Sequence, residues 1–201
     1  MFGKSMLVLA SLLAGCGAAQ ALDTSYHGKD AGALVFAAGT LDRNIDLTFC
    51  YRKAGQSALS QWLPSIEGVI EYKPGWVDFR TPDFTGHEEG DVTIDYLEPG
   101  DYEVYGYFAP EERLHLRTTI SIPFTIRAGQ TTYIGDFASF AVMGKGMFGL
   151  PERHGIFVIS DKHERDLAIA GKRDPQLGPV TIAVPDASRL GDPSIVAAEQ
   201  P

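Results

Sequence analysis

The chain has 201 residues, 44% of them hydrophobic, and sets 17 Lys and Arg against 26 Asp and Glu for a formal charge of −9. An acidic chain without a Lys/Arg stripe repels nucleic acid and anionic membrane surfaces, which argues against both as its main binding target. The length suits one domain able to bury roughly 70% of its unfolded surface, with no need for disulfide or metal staples.

Residues 1–15 read as a leader. Lys4 supplies the positive start, residues 5–14 carry no charge, and the run is shorter than the roughly 20 apolar residues a membrane-spanning helix needs. It ends in Leu13-Ala14-Gly15-Cys16, which resembles the lipobox of bacterial lipoproteins. That resemblance implies cleavage before Cys16, lipidation of its thiol with acyl chains such as palmitate, and anchoring in the cell envelope. Gly17, where Asp would retain a lipoprotein at the inner membrane, implies transfer to the outer membrane. Each buried methylene contributes about 0.8 kcal/mol, so several acyl chains together hold essentially permanently. Ala19-Gln20-Ala21 is also an A-x-A site for ordinary signal peptidase, and cleavage after Ala21 would release a soluble periplasmic or secreted protein. Residues 1–15 contain one Lys and no acid, so their loss takes the formal charge from −9 to −10.

Residues 16–31 are small and polar and read as a lipidated tether, residues 32–185 as the folded domain, and residues 186–201 as a flexible tail. Either cleavage takes Cys16 out of thiol chemistry and leaves Cys50 alone, so the domain has no internal disulfide. In the stretch 44–52, Ile45, Leu47, Phe49 and Tyr51 alternate on one face, which puts Cys50 on the other as a small residue packed on a sheet.

Short runs rich in aromatic and branched residues, punctuated by Gly and Pro, predict strands near 32–38, 44–52, 66–72, 76–80, 92–97, 101–109, 114–126, 131–142, 155–160 and 179–184. So many short strands indicate an all-β, antiparallel sandwich of immunoglobulin- or transthyretin-like type with one short C-terminal helix. In LEPGDYEVYGYF, Pro99 and Gly100 fit the centre of a type II turn. Tyr102, Val104, Gly106 and Phe108 are then the core face, and Tyr102 stands where a tyrosine corner would bond backbone a few residues upstream. Ile120, Ile122, Phe124 and Ile126 alternate before a turn at Ala128-Gly129-Gln130 and a return through Tyr133 and Ile134, the pattern of a hairpin. Pro123 cannot donate to a ladder and places that strand at an edge or bulge. The helix is DKHERDLAIAG, with Asp161 and Glu164 as a capping box, Gly171 as its stop, Lys172 and Arg173 at its negative end, and His163, Leu167 and Ala170 as its packing stripe.

Leu97-Glu98-Pro99-Gly100-Asp101-Tyr102-Glu103-Val104, followed by Ala128-Gly129 and Tyr133-Ile134-Gly135, resembles the core of carboxypeptidase-regulatory or transthyretin-like β-sandwich domains, which bacterial lipoproteins often carry. The resemblance covers residues 92–137. It implies a non-catalytic binding or structural module whose partner is an envelope protein or polymer, and it carries over no catalytic residue.

No G-x-S-x-G, H-E-x-x-H, P-loop or C-x-x-C is present, and neither a cofactor nor a metal is expected. The competing reading is a small-ligand-binding or metal-dependent enzyme built on Glu152, His154, Asp161, His163 and Glu164, whose side chains are of ligand type although a strand separates them. Glu88, Glu89 and Asp91 read as a solvated turn rather than a calcium loop. Trp62, Trp76, Tyr105 and Tyr107 fit a ligand groove as readily as a core. The apolar loop 141–155 reads as a cap folded back on the sandwich, with a partner contact as its alternative.

Overall fold

A computed structural model describes residues 26–41, 47–56, 67–72, 81–108, 116–145 and 150–197; the leader, Cys16 and the strand expected at 76–80 lie outside them. In chain order these residues form β1 (Gly32–Thr40), β2 (Leu47–Lys53), β3 (Gly68–Tyr72), β4 (Glu89–Leu97), β5 (Gly100–Phe108), β6 (Leu116–Arg117), β7 (Ile122–Ile126), β8 (Thr131–Lys145) and β9 (Pro151–Ser160). The helix α1 (His163–Arg173), β10 (Val180–Ile182), a 3-10 turn (Ala187–Arg189) and β11 (Ile195–Ala197) follow. One six-stranded sheet runs β11-β9-β8-β1-β4, with β10 also on β8; a five-stranded sheet runs β3-β2-β5-β6, with β7 also on β5. The fold is an all-β sandwich with one short helix. Most pairings are antiparallel, but β1 lies parallel to β8, β10 to β8 and β11 to β9. A parallel pair needs a long crossover, and the chain between β1 and β8 supplies it by building the whole five-stranded sheet on the way.

The core lies between the sheets, where Phe49 packs on Tyr107, Phe137 and Phe157 at ring separations of 5.6, 5.2 and 5.0 Å. Every residue of β1 is buried, which explains why GALVFAAGT reads as an unbroken run of small and apolar residues rather than an alternation. Leu34, Phe36 and Ala38 face the core, while Val35 and Ala37 pack outward with Ala170 of α1. Ile120, Ile122, Phe124 and Ile126 all face the core, and Pro123 lies on β7, which among the described residues pairs with β5 alone.

Two local turns differ from those the sequence predicts. The Pro99-Gly100 bend carries the chain from β4 in one sheet to β5 in the other; Gly100 is already in the strand at φ +158°, far from the conformation that a type II turn needs. The turn at Gly129, with φ +64°, likewise takes β7 in the five-stranded sheet to β8 in the six-stranded one, so it is an arch and not a hairpin. The two crossings are neighbours, since Gly100 pairs with Ile126. The chain also enters there: the Gly129 N–H donates to Ala31 O, and Tyr26 N–H to Tyr96 O. The Tyr102 hydroxyl donates to Glu98 O at 2.8 Å across the corner, stacking its ring on Phe124.

A bulge opposite Cys50 and Tyr51 changes the phase of β5. Tyr102 and Val104 face the core as expected, but beyond the bulge it is Tyr107 that does so, while Tyr105 and Phe108 join Cys50 and Leu116 on the outer face. Gly106 is pressed against Arg117 O, where a Cβ would sit 2.4 Å away.

The stretch after Pro185 is not a free tail as far as Ala197. Ala187 and Ile195 are buried in the core, β11 extends the six-stranded sheet, and Asp192 accepts from Tyr107 Oη at 3.1 Å and from Thr119 Oγ1. Its polar composition conceals two apolar anchors and an aspartate that bonds the opposite sheet.

Helix α1 begins at His163, so Lys162 is the N-cap and the capping box does not form. The third helical residue is Arg165, not Glu164, and Asp161 accepts from the His163 N–H at 3.1 Å and its ring Nδ1 at 2.7 Å just before the first turn. Gly171 lies within the helix. The stop is Asp174, extended at φ −132° and ψ +92°, because Pro175 disfavours a helical residue before it.

Candidate functional site

The polar cluster beneath α1 starts from a glycine. Register between β1 and β8 slips by one residue between Val35 and Ala37, leaving Ile134 and Gly135 opposite Phe36. Gly135 has φ +119°, a conformation that side chains disfavour. The extra residue rotates the strand: Tyr133 faces outward and Ile134 inward before it, Asp136 outward and Phe137 inward after it. Strict alternation would have driven Asp136 into the apolar core; the bulge places it on the same outer face as Tyr133.

A second pair of glycines makes room on that face. Gly39 and Gly90 are cross-strand partners on β1 and β4. A Cβ on Gly39 would meet Glu88 Oε1 at 2.8 Å, and one on Gly90 would meet the Phe84 ring at 2.5 Å. The loop before β4 therefore folds over the sheet, with Phe84 bridged to Gly90 and Glu88 directed inward.

Arg165, from the first turn of α1, enters this space. Its Nε donates to Asp166 Oδ1 at 2.7 Å, Nη1 to Glu88 Oε2 at 3.4 Å, and Nη2 lies 3.1 Å from Asp136 Oδ2 at an angle that makes an ion pair without a hydrogen bond. The guanidinium covers the Phe84 ring at 3.6 Å. Tyr133 Oη donates to Asp166 Oδ2 at 2.6 Å and accepts from the Lys162 N–H at 3.3 Å; Ser160 Oγ donates to Asp136 Oδ2 at 3.3 Å. Asp136 and Asp166 are both wholly buried. Burial, reinforced by the charge of Glu88, pushes the Asp136 carboxyl up to about 8 against the pull of Arg165. Burial, with Asp166 beside it, also raises the Tyr133 phenol, which stays a donor. Farther along the helix Arg173 pairs with Asp83 and donates to Val92 O, and Tyr96 donates to Asp174.

The sequence-derived candidates are scattered. Cys16, Trp62 and Trp76 lie outside the described residues. Pro99, Gly100, Tyr102 and Gly129 sit at the two sheet crossings. His154 pairs across from Val142 while Ser160, at the end of the same strand, pairs with Asp136. About 3.3 Å per residue thus separates His154 from Asp161 and His163 by roughly 20 Å. Among the described residues no three His, Cys, Asp or Glu side chains are placed to hold a metal ion. Glu88 is not the solvated residue its loop composition predicts, its side chain being 14% exposed. Tyr107 fills the core, and Cys50, a free thiol pushed up to about 12 by burial, packs with Tyr105. The described arms of the 141–155 segment are paired strands out to Lys145 and Pro151, with Met143 and Leu150 exposed rather than folded back as a cap.

The chain matches no protein-family model, and comparison with curated proteins likewise finds no match. Among the described residues no helix is long and apolar enough to cross a membrane.

Proposed function

We propose that this protein is a lipid-anchored module of the bacterial cell envelope, held at the outer membrane through Cys16, whose β-sandwich binds or braces an envelope protein or polymer without catalysis. The observation that carries the reading is the order of Lys4, the uncharged run and Leu13-Ala14-Gly15-Cys16 ahead of a short polar tether. The tether feeds β1 at the end of the sandwich where both sheet crossings lie, so an anchor there attaches to rigid structure. The likeness of the Leu97–Val104 and Ala128–Gly135 motifs to carboxypeptidase-regulatory and transthyretin-like domains supports an architectural role. The bonding of the ionic cluster supports it too, since Arg165, Asp166 and Tyr133 direct their polar groups at one another.

The test is expression of the full-length chain in a bacterial host with a clickable fatty acid, beside Cys16→Ser, with intact mass measured. Acylation lost in Cys16→Ser is the expected result. An unlabelled protein beginning at Leu22 would overturn the anchor.

A further inference from the structure

The cluster under α1 leaves two carboxyl oxygens without a hydrogen. Asp136 Oδ1 and Glu88 Oε1 are both buried without a donor, and one guanidinium brings the two carboxyls together, with Arg165 Nη1 3.4 Å from Glu88 Oε2 and Nη2 3.1 Å from Asp136 Oδ2. Ionised carboxylates only accept, so two of them face to face leave their lone pairs opposed unless a proton lies between. The neighbours do not supply it. Both oxygens of Asp166 accept, from Tyr133 Oη and Arg165 Nε, Ser160 donates to the other oxygen of Asp136, and Arg165 Nη2 lies in an ion pair with that same oxygen without hydrogen-bonding either carboxyl. Arg165 Nη1 serves the other oxygen of Glu88.

Formal charge gives the same answer. Asp136, Glu88 and Asp166 set three acids against the single guanidinium of Arg165 in a site closed by the Phe84 ring and the helix. The groups facing the pair can be named element by element: Tyr133 and Asp136 from β8, Ser160 from β9, Arg165 and Asp166 from α1, and the glycines Gly39 and Gly90 where the loop rests on β1 and β4. Along the same seam Arg173 pairs with Asp83, and Asp91 accepts from the Asp83 N–H.

We propose that Asp136 and Glu88 form a buried proton-binding site, in which one shared proton clasps the loop before β4 to the six-stranded sheet and the first turn of α1. When that proton leaves, two adjacent buried carboxylates repel and the clasp loosens. The upward displacement of the Asp136 carboxyl, to about 8, agrees with this arrangement. The sign follows from linkage: the folded chain keeps a proton that the unfolded chain gives up near the usual carboxylate range, so the clasp's stabilisation is complete below that range and is lost as pH rises through about 8. One retained proton makes the unfolding equilibrium constant rise about tenfold per pH unit within that window.

The experiment follows the full chain from pH 5 to 9 by urea unfolding and by carboxyl carbon NMR, beside Asp136→Asn and Glu88→Gln. Either amide donates the missing hydrogen permanently. Expected are a wild-type urea midpoint that falls as pH rises, one carboxyl titrating between about pH 7 and 9, and loss of both signatures in each variant. The wild-type spectrum decides even if a variant does not fold, since a folded chain with no carboxyl titrating above pH 6 overturns the proposal. Recovery of wild-type stability at pH 9 by millimolar calcium or magnesium would make the pair a cation site and overturn it as well.

Discussion

The two outer faces of the sandwich use the same parts to different ends. On the five-stranded sheet a bulge in β5 turns Tyr105 outward beside Cys50, and Arg52 covers the Tyr105 ring at 4.1 Å while pairing with Glu103 at 3.0 Å. On the six-stranded sheet a bulge in β8 turns Asp136 outward, and Arg165 covers the Phe84 ring while meeting three carboxyls. The difference is in how many charges each arginine holds. Both faces leave polar atoms buried without a partner, Arg52 Nη1 and Tyr105 Oη on one and Arg165 Nη2, Asp136 Oδ1 and Glu88 Oε1 on the other, but Arg52 pairs with one carboxylate whereas Arg165 meets three. Beneath α1, removing Arg165 would leave buried Asp166 and Asp136 facing each other. A bulge thus selects the face a side chain takes, and the bonds waiting there decide whether that placement stabilises the fold.

Arg165→Ala breaks this comparison most strongly. Leaving buried carboxylates without their cation costs about 3–5 kcal/mol, read as a lower urea midpoint at pH 7, and a loss below about 1 kcal/mol would make the cluster ornamental. Gly135→Ala comes next. The left-handed conformation at φ +119° penalises a Cβ by about 1–3 kcal/mol. Because the bulge aims Asp136, the loss should come with faster amide exchange in α1, whereas unchanged exchange would separate the bulge from the helix. Tyr105→Phe is the smallest change and has the opposite sign. It removes a buried hydroxyl that has no partner and should leave stability unchanged or raise it by a few tenths of a kcal/mol. A loss above about 1 kcal/mol would show that Tyr105 Oη has a bond in solution.

The strands were legible because their chemistry is local. Ile120, Ile122, Phe124 and Ile126 alternate over the core, and β1 announces its double burial by having no polar side chain before Thr40. What stayed hidden was non-local. Gly129 makes the same tight turn whether the next strand pairs with its neighbour or crosses to the other sheet, and only the partner distinguishes them. Neither bulge changes composition, so alternation extended past Tyr105 assigned Gly106 and Phe108 to the wrong face. The cluster left two traces that could have been followed: an aspartate inside the otherwise apolar run IGDFA, and Asp166 next to the helix stripe of Leu167 and Ala170. A charge placed where a core residue belongs needs a partner, and Arg165 was adjacent in sequence. Glu88 left no such trace, since only the fold of its loop over Gly39 takes it out of water.

The claim that the two faces differ in how they bond their charges is tested most directly by paired double-mutant cycles, Arg165→Met with Asp166→Asn on one face and Arg52→Met with Glu103→Gln on the other. The account predicts a coupling of at least about 2 kcal/mol between Arg165 and Asp166 and of about 1 kcal/mol or less between Arg52 and Glu103. Equal couplings would contradict it.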